Sequence, residues 1–165
     1  MSRPAVRGLA LALVQVLLVA GVGGKLLADR ARFPRVWAET RAFDPELPIR
    51  GRYARLAVVV APSDGRSPDH GQWFRARLEA RDERLVAIPD PDGPVQVRPR
   101  HTREESAAWM LGESLLYFLP EHAADPTRRA ADETLMVEVT VPPDGPPRPV
   151  RLGIRSDGTI HPLAD

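Results

Sequence analysis

The sequence contains no cysteine, so disulfides, thiolate nucleophiles and cysteine-bound zinc are excluded at once. Lysine is nearly as scarce: Lys25 is the only one among 23 basic residues. A Schiff-base lysine, a Ser-Lys dyad or a phosphate-loop lysine would have to be Lys25, which borders an apolar run and suits none of these chemistries. Neither sign of charge is in excess. The formal net charge is +1 with acids and bases interleaved. Nucleic-acid binders gather their Arg and Lys into a patch or stripe, so nucleic acid is not an expected partner.

Catalytic motifs are missing as well. Ser63, Ser67, Ser106, Ser114 and Ser156 lie in no G-x-S-x-G context, and there is neither a G-x-G-x-x-G nor a Walker sequence. His70, His101, His122 and His161 form no H-x-x-x-H pair and read as surface-loop residues. No metal and no cofactor is expected. The adjacent acids Asp82-Glu83 and Glu104-Glu105 have structural readings, as a hairpin link and as a helix N-terminus where negative charge opposes the dipole. A catalytic carboxylate pair needs separation across a cleft, which neighbours in sequence rarely provide.

What is present begins with the run GLALALVQVLLVAGVGG, residues 8–24, with Gln15 its single polar side chain. At 1.5 Å per residue it spans roughly 25 Å, near the short limit for a bilayer. Extension through Lys25, which can snorkel, to Ala28 lengthens it. A cleaved signal peptide and the buried helix of a soluble protein are the competing readings. KLLADRARF continues the helical pattern, which favours an uncleaved anchor. The organisation is then a basic flank at 1–7, a transmembrane helix or signal anchor at 8–28 in contact with the lipid bilayer, a helix end at 29–35, and one β-rich domain at 36–165. Arg3 and Arg7 precede the run and Lys25, Arg30, Arg32 and Arg35 follow it. The charge rule for orientation is thus ambiguous, leaning if anything toward a cytoplasmic C-terminal part.

Beyond Pro34, which ends the helix, short strand patterns alternate with turn signals. RVWAETRAF has period two. DPELP breaks it, with Pro45 and Pro48 unable to donate. YARLAVVVA is a strong strand, and 62–71 is a loop. QWFRARLEAR has one apolar and one charged face and leads through Asp82-Glu83 into ERLVAIP. DPDGP is a turn. VQVRPR reads as a short edge strand. Thr102 with Glu105 makes a capping box, predicting a short helix at 103–110. Leu115, Leu116, Tyr117, Phe118 and Leu119 read as buried. ETLMVEVTVP is a strand with Leu135, Val137, Val139 and Val141 on one face. VRLGIRSDGTIHPL is a terminal hairpin. Trp37, Trp73 and Trp109 are expected mainly in the core, Trp37 also suiting a membrane interface. The fold class is mainly β, with α+β as the variant. It is one amino-terminal transmembrane helix followed by a single antiparallel sandwich or barrel-like domain with a short helix.

The most distinctive stretch is FDPELPIRGRYARLAVVVA, 43–61. Arg50 and Arg52 flank Tyr53 and could meet an acidic partner or a lipid headgroup. The plainer reading is a bend feeding a strand, with Gly51 easing it and Tyr53 and Leu56 packing inward. Asp44-Pro45 followed by Arg50-Gly51-Arg52-Tyr53-x-x-Leu56 resembles the signature of the GDYXXLXY-domain family, bacterial proteins of uncharacterised function. Gly51, Tyr53 and Leu56 match the signature. Arg52 stands where the family has Asp, and Val58 where it has the last Tyr, so an activity carried by those two would be lost here. GKLLADRARFPRVW, LLYFLPE and SDGTI fit the family layout. The resemblance implies anchorage in the bacterial inner membrane, an extracytoplasmic domain and an integral membrane partner met through Arg50, Gly51, Arg52, Tyr53 and Leu56. The alternative is an envelope hydrolase pairing His122 or His161 with Glu121 or Asp157 in a noncanonical acid-base site.

Overall fold

The computed structural model describes residues 3–43, 46–47, 51–63, 73–99, 109–119, 126, 129–130 and 132–163. It divides at 33/34 into two units. The first is one helix, α1 (Arg3–Arg32), whose segment Arg7–Asp29 is long and apolar enough to cross a membrane. Its 23 residues reach roughly 34 Å, more than the hydrocarbon core of a bilayer. None of the apolar window is buried within the protein. The helical pattern through Leu26 and Leu27 holds, and the helix stops just before Pro34.

The second unit is mainly β. Its strands are β1 (Arg35–Phe43), β2 (Glu46–Leu47), β3 (Gly51–Pro62), β4 (Phe74–Arg81), β5 (Arg84–Pro89), β6 (Val95–Pro99), β7 (Trp109–Leu111), β8 (Leu115–Phe118), β9 (Thr134–Thr140), β10 (Arg148–Ser156) and β11 (Thr159–Pro162). Five of them close a small barrel in the order β3-β5-β4-β6-β7 and back to β3. Every contact around the ring is antiparallel except β3–β5, where Ala61 and Pro62 lie beside Val86 and Ala87 in parallel. An antiparallel sheet continues from β3 through β1, β9 and β10 to β11. The architecture is therefore an apolar helix and a barrel-like β domain extended by a sheet.

The barrel and sheet share one core. Leu56, Val58 and Val60 of β3 have essentially no exposed surface, and Val97, Trp109, Val137 and Val139 are buried around them. Strand β1 serves both parts: Arg35–Glu39 pair with β9, and Thr40–Phe43 with β3. At this changeover Thr40 is buried, and its hydroxyl donates to the Ala57 carbonyl over 3.1 Å. Leu135, Val137, Val139 and Val141 are buried along one face of β9 as expected, and Met136, Glu138 and Thr140 on its other face are buried as well.

Three expectations are corrected. VQVRPR is not at an edge, since β6 lies between β4 and β7. Residues 109–110 of the expected helix belong to strand β7, held by Val60 and Pro99 on either side; residues 103–108 lie outside the described residues. Finally, LLYFL is not uniformly buried. Leu115 and Leu119 are, but Leu116 and Phe118 are 64% and 68% exposed, because β8 turns alternate side chains outward.

Two turns set the barrel's geometry. The DPDGP turn is pinned onto β4: Asp90 N–H donates to the Arg75 carbonyl (3.0 Å), and Arg75 Nε donates to the Gly93 carbonyl (2.8 Å). A Cβ on Gly93 would sit 2.4 Å from backbone atoms of Ala76, so no side chain fits. The β4–β5 link has both Asp82 and Glu83 at positive φ, 49° and 58°, the geometry that favours Asn-Gly. We expect Gly93→Ala to destabilise the domain by about 3 kcal/mol. The double change Asp82→Asn, Glu83→Gly should stabilise it by about 1 kcal/mol, by relieving left-handed strain. Thermal unfolding of the full chain in mild detergent reads both signs.

Candidate functional surface along β3

The signature stretch is placed by β3. Arg50 lies outside the described residues. Gly51 and Arg52 start the strand, their backbones opposite Leu47 and Glu46 of β2. Tyr53 is half-buried and faces Phe118 across the β3–β8 pair. Leu56 faces Leu115 on one side and Ala42 on the other, with no exposed surface. Leu56 is thus a core residue and offers no contact to a partner in the folded state. Val58 is equally buried. Of the five candidate residues, Gly51, Arg52 and Tyr53 fall together at the start of the strand, and Leu56 anchors it from beneath.

Strand alternation sorts the neighbours. Ala54 and Leu56 point into the core with Leu115. Tyr53 and Arg55 point the other way, directly opposite Phe118 and Leu116. Arg41, opposite Ala57, lies on the same side of the sheet and is exposed. The outer face of β3 and β8 therefore combines aromatic, aliphatic and guanidinium groups, of which the sequence reading identified only Tyr53. The missed residues carried a signal in their own strand period, but an unbroken apolar run hides which alternate members face out.

A second feature is a groove of about 1040 Å³ where β1 parts from β3. Trp37, Glu39, Pro62, Glu83, Arg84 and Arg155 are among its walls. Arg155 approaches Glu39 to 3.9 Å, so charges of both signs meet there. The groove selects no single charge.

The flanking sheet carries a linked set. Glu138 is buried on β9, and Arg151 Nε donates to its Oε2 over 2.8 Å. The same guanidinium lies 5.3 Å from the Trp37 ring centroid. The Trp37 ring in turn crosses Gly153, where a Cβ would approach it to 3.0 Å. Trp37 is therefore half-buried as a clamp over β10. Trp109 is in the core, edge-on to Phe74 at 4.8 Å, with its Nε1 buried and without a hydrogen-bond partner among the described residues. Trp73 departs from expectation: it is 57% exposed, with the Arg98 guanidinium 5.9 Å from its ring centroid. An arginine over one face of a ring lets the other face stay in water.

Of the acid-base alternative, only His161 and Asp157 lie within the described residues. His122 and Glu121 lie outside the described residues. His161 is exposed on the edge strand β11 and Asp157 is exposed in the β10–β11 turn; neither lines the groove. Among the described residues, no three His, Asp or Glu side chains converge as metal ligands. No protein-family model, curated protein or solved structure matches this chain.

Removing Arg151 strands a buried carboxylate. Arg151→Ala should cost about 2 kcal/mol, and Glu138→Leu in that background should restore part of it. A double-mutant cycle by thermal unfolding checks the sign. Additive losses would show that the pair is not coupled.

Proposed function

We propose that this chain belongs with the GDYXXLXY-domain proteins and works as a single-pass, membrane-anchored module. Its β domain stands outside the bacterial inner membrane and binds or helps assemble an integral membrane partner. The observation that carries this reading is the apolar helix itself. It is long enough to cross a bilayer, none of its spanning window is buried among the described residues, and it is followed within two residues by β1. An apolar face of this length left in water would be strongly unfavourable, and lipid removes that cost. The domain beside it gives the anchor a purpose. It is a rigid β scaffold that holds Tyr53 half-exposed at the start of its longest strand.

In this reading Arg50, Gly51, Arg52 and Tyr53 contribute to the partner contact. Leu56 acts indirectly, by keeping β3 in register from within the core.

Two measurements follow. A reporter fused to the C-terminus should be active only outside the cytoplasm; cytoplasmic activity would overturn the orientation. A photo-crosslinking residue in place of Tyr53 should capture an integral membrane protein in native membranes. Arg50→Ala should lower that yield about tenfold, as removal of an interfacial hot spot does. Capture and thermal stability both unchanged by Arg50→Ala would remove the arginine from the site.

A further inference from the structure

The outer face of β3 and β8 is the one place in the described β domain where two large apolar side chains of a single strand stand open to solvent. Leu116 and Phe118 alternate outward on β8, each more than three-fifths exposed. Their cross-strand neighbours are Arg55 and Tyr53. Arg41 extends the same face on β1. The nearest acid of β1 on this side, Glu39, is turned toward Arg155.

The backbone adds a second oddity. Among the described residues β8 pairs with β3 alone, and its sequence LLYF holds no Lys, Glu or Pro. Exposed edges are ordinarily guarded by such residues. The other terminal strand, β11, carries His161 and Pro162.

We propose that this face docks on the bilayer, with Leu116 and Phe118 entering the headgroup–acyl boundary and Arg41 and Arg55 resting on anionic lipid phosphates. Two observations select lipid over a protein surface. The first is composition. Tyr, Phe and Leu beside arginines, without a described acid on the patch, is the mixture that settles at membrane interfaces and is drawn to anionic headgroups. The second is reach. Helix α1 ends at Arg32 and β1 starts at Arg35, so only two residues of chain join the anchor to the domain. Phe43, at the far end of β1, already pairs with Arg55. Nine strand residues carry the chain from the tether to the patch, roughly 30 Å. A bilayer is thus the most concentrated neighbour the patch can have. The inference rests on the anchoring reading above but not on any protein partner.

The absence of native cysteine makes the test direct. Leu116→Cys and Phe118→Cys are each labelled with an environment-sensitive fluorophore in the full chain, with Gln96→Cys as an exposed control. The proteins are reconstituted into vesicles of phosphatidylcholine alone or mixed with phosphatidylglycerol. Flotation with the vesicles first reports whether α1 anchors; failure to float overturns the anchoring reading and the docking with it. Given flotation, labels at 116 and 118 should shift to the blue and be quenched by brominated acyl chains, more so with phosphatidylglycerol. The label at 96 should stay in water. Arg41→Gln and Arg55→Gln should each lower the docked-to-free ratio roughly fivefold in the anionic vesicles. Floating protein whose 116 and 118 labels match the label at 96 overturns the docking alone. A shift that follows protein-to-lipid ratio and ignores phosphatidylglycerol assigns the face to a second copy of the chain and also overturns it.

Discussion

The β domain depends on one strand belonging to two sheets. In its first half β3 lies between β1 and β8; in its last residues it lies between β7 and β5. A twelve-residue strand is long for a small domain, and here the length is used to join a closed barrel to an open sheet. Leu56, Val58 and Val60 project inward from it with essentially no exposed surface. Opening β3 would break the barrel ring and detach the sheet together, while exposing side chains worth roughly 2 kcal/mol each. The outward side chains of the same strand, Tyr53 and Arg55, inherit that rigidity. Any contact they make is therefore made by a prepositioned surface.

Much of this was legible in the residues. The β4–β5 and β10–β11 hairpins, the long apolar helix and the start of β3 follow from period-two alternation, an unbroken hydrophobic run and local turn chemistry. Each signal is contained within a dozen residues, so no knowledge of the rest of the chain is needed. The tight link at Asp82-Glu83 was readable from its length, though not its left-handed backbone, because neither residue is the glycine such a turn prefers.

The failures are all non-local. Trp109–Leu111 becomes a strand through Val60 and Pro99, which are distant in sequence, while a local capping pattern pointed toward helix. Whether VQVRP is an edge depends on that same strand. Closure of the ring by a parallel β3–β5 contact leaves no mark in either segment. Leu116 and Phe118 read as core in the sequence because hydrophobicity reports what a residue tolerates; which way each faces is set by β8's register with β3. The candidate site divides on the same line. Leu56 packs inward as the bend-and-strand reading expects, whereas Tyr53, expected to pack inward beside it, is turned to the opposite face by the strand's alternation.

Val58 is sealed in the core opposite Thr40, a position that accepts a β-branched side chain for packing reasons alone. Gly51, Tyr53 and Leu56 span the start of β3 and its first core layer, and barrel and sheet both depend on that strand. Native-state hydrogen exchange on the full chain in lipid nanodiscs tests this dependence most directly. Amides of β3 from Leu56 to Val60 and of β9 from Leu135 to Val139 should exchange through one shared, global opening, with β4, β6 and β7 joining the same unit. Exchange of the barrel strands through a separate, lower-energy opening that leaves β3 and β9 protected would contradict it.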